Sequence, residues 1–166
     1  MKYWLFKSEP GCYSITDLIN APGQITSWDG VRNFQARNFM RDEMREGDLG
    51  FFYHSGKHPE IVGIVRVVRS GYPDHTAQDP DNQHYDPAAS PENPRWFMVD
   101  VQLVLQFIPP VPRDFLRFRP ALAGMELLKK GSRLSVQPVT PEAFADIVEL
   151  ADQLAADAAT VQGERA

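Results

Sequence analysis

The 166-residue chain carries 22 Asp and Glu against 17 Lys and Arg, a formal charge of −5, which argues against bulk, sequence-blind adhesion to nucleic acid because such adhesion needs a basic surface. A chain of this length reads as one domain, burying about 70% of its unfolded surface. The single cysteine, Cys12, excludes an internal disulfide and a cysteine-based zinc site, and no apolar run reaches the ~20 residues of a membrane helix. With no secretory signal legible, the expectation is an intracellular monomer, cytoplasmic in a bacterium or nuclear in a eukaryote.

Tyr3 to Phe6 reads as a short aromatic strand. Ser14 can cap a helix whose first turn holds Asp17, and Ala21-Pro22-Gly23 ends it. Trp28-Asp29-Gly30 is a turn signal. In the helix that follows, Arg37, Arg41 and Arg45 fall four apart and line one stripe, while Arg32 and Asn33 stay with the turn. Leu49 to His54 is a strand. Ile61 to Val68, nearly all β-branched, is a strand buried on both faces, with a bend or bulge at Gly63. Residues 71–94 form a long polar loop. Trp96 to Ile108 alternates Phe97, Val99, Val101, Leu103, Leu105 and Phe107 with Asp100, Gln102 and Gln106, so one face is core, and Pro109-Pro110 stops it. Arg113 to Leu122 is a short helix and Leu134 to Val136 a last strand. Thr140-Pro141-Glu142 opens a helix with an apolar stripe from Phe144 to Ala155. A single domain over 1–158 and a frayed tail over 159–166 are expected.

These elements make an α+β chain with a strongly bent sheet. A closing glycine and helices at both ends predict a small mixed β-barrel flanked by helices. Three runs mix aromatics, small polar groups and arginines: Lys2 to Pro10, Ser27 to Arg41 and Gly131 to Thr140. Such a mix suits a pocket that stacks a flat ligand and reads its edge, beside a surface that holds phosphate.

Tyr3-Trp4-Leu5-Phe6-Lys7-Ser8-Glu9-Pro10, Trp28-Asp29-Gly30-Val31-Arg32-Asn33, Gln35-Ala36-Arg37-Asn38, Phe52-Tyr53-His54-Ser55, Pro94-Arg95-Trp96 and Arg133 to Val139, in that order, resemble the EVE domain family over roughly residues 2–150. The resemblance implies a PUA-like barrel related to the PUA, ASCH and YTH folds. It also implies binding of nucleic acid, DNA or RNA, that bears a modified base flipped into a pocket. Phe34 stands where the family commonly has tyrosine. Some relatives carry a nuclease domain, and this chain is expected to act alone or through a protein partner.

Trp28 and Trp4 are the stacking candidates, although a tryptophan near a strand end is commonly core. Lys7, Ser8, Asn33, Tyr53, His54, Ser55 and Ser135 offer donors and acceptors for a base edge. The plainer readings are a helix cap for Asn33, a turn residue for Ser55, a satisfied half-buried imidazole for His54 and a backbone-bonded hydroxyl for Ser135. Arg32, Arg37 and Arg41 are the phosphate candidates, against the alternative of a solvated helix face paired with Asp42, Glu43 or Glu46. His54, His58, His75 and His84 match no zinc signature, so neither metal nor cofactor is expected. Two rival classes remain: an enzyme or accessory subunit acting on a modified nucleobase or small molecule in the same pocket, and a reader of methylated peptides. No catalytic motif favours the first, and the arginines oppose the second.

Overall fold

A computed structural model describes residues 1–165, and the side chains of residues 1–164. Six strands form one mixed sheet: β1 (Tyr3–Ser8), β2 (Ile25–Ser27), β3 (Leu49–His54), β4 (Glu60–Pro73), β5 (Phe97–Pro112) and β6 (Val136–Val139). Their order is β2-β5-β4-β3-β1-β6, with β1 and β3 parallel and every other pair antiparallel. The α+β expectation holds, but the ladder is not closed as an expected barrel would be: among the described residues it ends at β2 on one side and β6 on the other.

Helices cover the two faces of the sheet. The capping box at Ser14 is present: its hydroxyl accepts from the Asp17 amide while Asp17 accepts from the Ser14 amide, starting α1 (Ile15–Asn20). Asn33 caps α2 (Phe34–Asn38) by accepting from the Ala36 amide, and Thr140 does the same toward Ala143 at the start of α4 (Pro141–Arg165). A four-residue α3 (Arg113–Leu116) follows β5. Strand alternation then divides the core. Trp4 and Phe6 face Trp28, Phe52 and Met40 under α1 and α2. Leu5 faces Phe51, Phe144 and Ile147 under α4. Burying a side chain of this size contributes about 1.5–3 kcal/mol.

Three expectations change. The helix after Trp28 passes into a π turn over Phe39–Glu43 and ends at Met44, whose backbone is extended. Arg45 therefore leaves the helix, and the arginine stripe is broken. β5 runs through Pro109-Pro110 to Pro112, because Val111 still pairs with Ile61 across the β4–β5 ladder. The simple alternation along β5 also fails: Met98 and Val99 are both buried while Leu105 is 42% exposed, since the β4–β5 register shifts at four points. One such shift spans Ile61 and Gly63, where the bend was expected. A Cβ on Gly63 would lie 2.5 Å from the Leu105 carbonyl oxygen and 2.7 Å from Ile15 Cδ1, so the glycine admits the β5 backbone first and α1 beside it.

Candidate nucleic-acid interface

The ends of the parallel strands β1 and β3 meet the Trp28–Asn33 turn and the 74–92 loop. A cleft of about 360 Å³ opens there, lined by Lys7, Ser8, Tyr13, Trp28, Asp29 and His84 among others. Its size falls within the usual range for small-ligand sites. Trp28 forms the floor. Its amide donates to the Val99 carbonyl at 2.8 Å. Its ring meets Phe6 and Phe52 edge-on at 5.2 and 5.3 Å, leaving 7% of the residue exposed. Most of the Trp28 surface is thus spent on the core. Tyr13 is less buried and stacks loosely on Phe52 at 6.5 Å. It offers the freer aromatic surface.

The turn is held by one buried carboxylate. Asp74, fully buried, accepts from the Gly30 amide at 2.9 Å and from Arg32 Nη1 at 3.0 Å. Its other oxygen accepts from the Thr76 amide and hydroxyl. Burial pushes the Asp74 carboxyl up, but the bonds from Thr76, Gly30 and Arg32 outweigh it and hold the pKa below the usual range. Arg32 also donates to the His84 carbonyl at 2.7 and 3.1 Å, fastening the 74–92 loop over the turn. Gly30 has φ +76°, and a Cβ there would lie 2.7 Å from His84 Nε2. The glycine is required on both counts.

At the cleft mouth Asp29 is raised above the ordinary carboxylate range, first by partial loss of solvent and then by the neighbouring Asp74. The Lys7 ammonium is lowered, first by burial and then by Arg113, with Glu126 opposing. Asp29 offers an acceptor to a flat polar ligand at this cleft, while the Lys7 ammonium feels the charges of Glu126 and Arg113.

Pleating separates the remaining sequence candidates. Lys7 and Tyr53 are register partners, as are Ser8 and His54, and neighbours along a strand point to opposite faces. Tyr53 therefore lies on the α4 side, buried, where with Lys7 it lines a second cleft. Burial raises its hydroxyl pKa, with Arg113 opposing. Ser8 donates its hydroxyl to the Tyr13 carbonyl at 2.6 Å, keeping lone pairs for an acceptor role. His54 accepts from the Ile15 amide through Nε2 at 3.1 Å, and burial lowers its pKa. The Ser55 amide donates to the Ser8 carbonyl, and the Lys7 amide to the Ser135 carbonyl. Neither serine lines a cleft. Asn33 is exposed and spends its side-chain oxygen on the cap. Trp4 lies in the core, donating to buried Asp48 at 3.0 Å.

The arginines differ as sharply. Arg32 belongs to the Asp74 network. Arg37 donates to the Arg95 carbonyl at 2.9 Å and lies over Phe34, which stacks on Trp96 at 4.8 Å. Arg41 is exposed and pairs with Asp42 through two 2.8 Å bonds. Sequence reasoning missed Tyr13 and His84 as lining residues. Tyr13 carried a weak signal, an aromatic beside the turn at Gly11-Cys12. His84 carried none, because its position depends on the fold of a long loop.

The α+β domain thus carries a cleft beside the C-terminal ends of two parallel strands, floored by tryptophan and bordered by a pinned loop. The EVE domain family matches residues 2–150, and the chain belongs to that family. Human thymocyte nuclear protein 1 is 43% identical over 91% of this chain and 74% of its own length. A crystal structure of human THYN1 in complex with 5-methylcytosine-containing DNA superposes with a TM-score of 0.85 at 42% identity, covering 91% of this chain and 98% of that one. A Pseudomonas syringae protein of known structure is 47% identical with a TM-score of 0.85, covering 90% and 99%.

Proposed function

We propose that this protein is a non-catalytic reader of a modified cytosine in DNA, holding the base flipped into the Lys7–Trp28–Asp29 cleft. The observation that carries the reading is the 42% identity to a human protein crystallised with 5-methylcytosine-containing DNA. The cleft supports it chemically. Cytosine presents an amino donor beside acceptor atoms. Asp29 is suited to accept from the amino group, and Lys7 to donate to the adjacent acceptors. Trp28 and Tyr13 supply apolar surface for the ring and its 5-substituent. Arg32 and Asp74 hold the turn in shape. Arg37 and Arg41, on the outer surface, are the phosphate contacts nearest α2.

Flipping costs a few kcal/mol of unstacking, and stacking returns about 1–3 kcal/mol per base. The remainder must come from edge hydrogen bonds and phosphate contacts. His54 is not free to act as a base through Nε2, which accepts from the Ile15 amide.

The test is binding at low salt to oligonucleotides that differ only in one central cytosine: unmodified, methylated or hydroxymethylated, in DNA and in RNA. A 2-aminopurine beside the target reports flipping by its fluorescence. Tight binding of modified DNA with brightening is expected. Binding without brightening removes the flipped base, equal binding of all cytosines removes the reader, and a preference for RNA moves the substrate class.

A further inference from the structure

The second cleft, on the α4 side of the sheet, encloses about 450 Å³ and is lined by Lys7, Arg113, Arg117, Lys129 and Lys130. Five cationic side chains converge there on a chain whose net charge is −5. Among the described residues two carboxylates answer them: Glu126 pairs with Lys129 at 3.1 Å, and Asp114 lies 3.6 Å from Arg117. Glu126 is also held by the Ser132 hydroxyl at 2.9 Å. Five cationic groups facing two carboxylates give this cleft the chemistry of an anion site.

Lys7 lines both clefts, so the two are neighbours. A nucleotide whose base entered the first would have the second within reach of its flanking backbone. Directly after Arg117 comes Phe118, 85% exposed, with Phe115 at 45% on the same short segment. A cationic groove with exposed aromatics is the arrangement that follows a nucleic-acid strand, whereas a free phosphate has no use for the aromatic.

We propose that the Arg113–Lys130 cleft binds backbone phosphates of the strand flanking the read base, with Phe118 stacking on a neighbouring base. The principal phosphate contacts thus lie on the face opposite Arg37 and Arg41. The inference rests on the reader assignment above.

The test titrates methylated DNA against wild type, the exposed pair Arg117→Gln/Lys130→Gln, and Phe118→Ala, over a range of salt. The charge variant is expected to lose about tenfold or more in affinity and to flatten the dependence of log affinity on log salt by about 1–2, since each phosphate contact adds about 0.7–0.9. Its preference for methylated over unmodified DNA stays unchanged. Phe118→Ala loses severalfold in affinity at unchanged slope. Wild-type affinity and slope in both variants overturns the proposal while leaving the reader assignment intact. So does tight binding of inorganic phosphate at this cleft together with unaltered DNA binding by the variants. A wild type that binds no oligonucleotide removes the reader assignment and this role with it.

Discussion

Asp74 and Arg32, 42 residues apart, are joined at 3.0 Å, and the same Asp74 oxygen accepts from Gly30 at 2.9 Å. One buried carboxylate thus sets the shape of the turn that carries Trp28 and Asp29. Arg32 is 23% exposed and Asp74 not at all. Such a pair is weak evidence for net stability but costly to break from one side.

Asp74→Ala is therefore expected to destabilise the fold by about 3 kcal/mol, by leaving a half-buried guanidinium without its counter-charge and the Gly30 and Thr76 amides without their acceptor. Asp74→Asn should cost less, keeping a neutral acceptor. Urea unfolding measures both. A loss below 1 kcal/mol for Asp74→Ala would show that the turn is held by other contacts.

Trp28 and Tyr13 should separate stability from binding. Trp28→Ala empties a core site and is expected to cost about 3–5 kcal/mol of stability. Its effect on binding is then entangled with folding. Tyr13→Ala removes a half-buried ring at the cleft wall. It should cost clearly less stability than Trp28→Ala and weaken binding of methylated DNA by about 1–3 kcal/mol. Unchanged affinity in Tyr13→Ala would place the base elsewhere.

His54 predicts an acid-side loss of stability. Its folded pKa lies below the ordinary value of 6.5 because of burial, and its Nε2 must be unprotonated to accept from Ile15. The unfolded chain binds the proton more readily, so this contribution is present above 6.5 and is lost as pH falls from there through the depressed folded pKa. Stability measured by denaturant from pH 7.5 to 5 should fall for wild type and fall less for His54→Gln. Parallel curves would assign the acid sensitivity to other groups.

Selectivity among modifications should favour polar ones. Burying one methyl group gains about 0.8 kcal/mol, roughly fourfold. A hydroxymethyl group can also donate to Asp29 or Ser8, and a hydrogen bond to a charged acceptor is worth about 1.5–3 kcal/mol. Hydroxymethylcytosine is expected to bind about tenfold more tightly than methylcytosine. That margin should shrink with acidification, since the raised Asp29 carboxyl takes up its proton earlier than an ordinary one. Equal affinities for the two forms, by direct titration, would exclude a polar reader.

The local chain was enough to mark the Ser14 and Thr140 caps, the bulge at Gly63, the turn at Trp28-Asp29-Gly30 and the family to which these runs belong. Each rests on interactions within a few residues, or on backbone freedom that a single glycine supplies. Partners remote in sequence were decided by the tertiary structure. Arg32 has the charge of a phosphate contact, but Asp74 and the His84 carbonyl claim it, 42 and 52 residues away. Tyr53 and Ser8 look like members of one pocket, yet the pleat puts Tyr53 on the α4 side, in the second cleft, and Ser8 in the first, with Lys7 shared between them. Side-chain type follows from sequence, while which groups remain free to meet a ligand depends on which ones the folded core has already engaged.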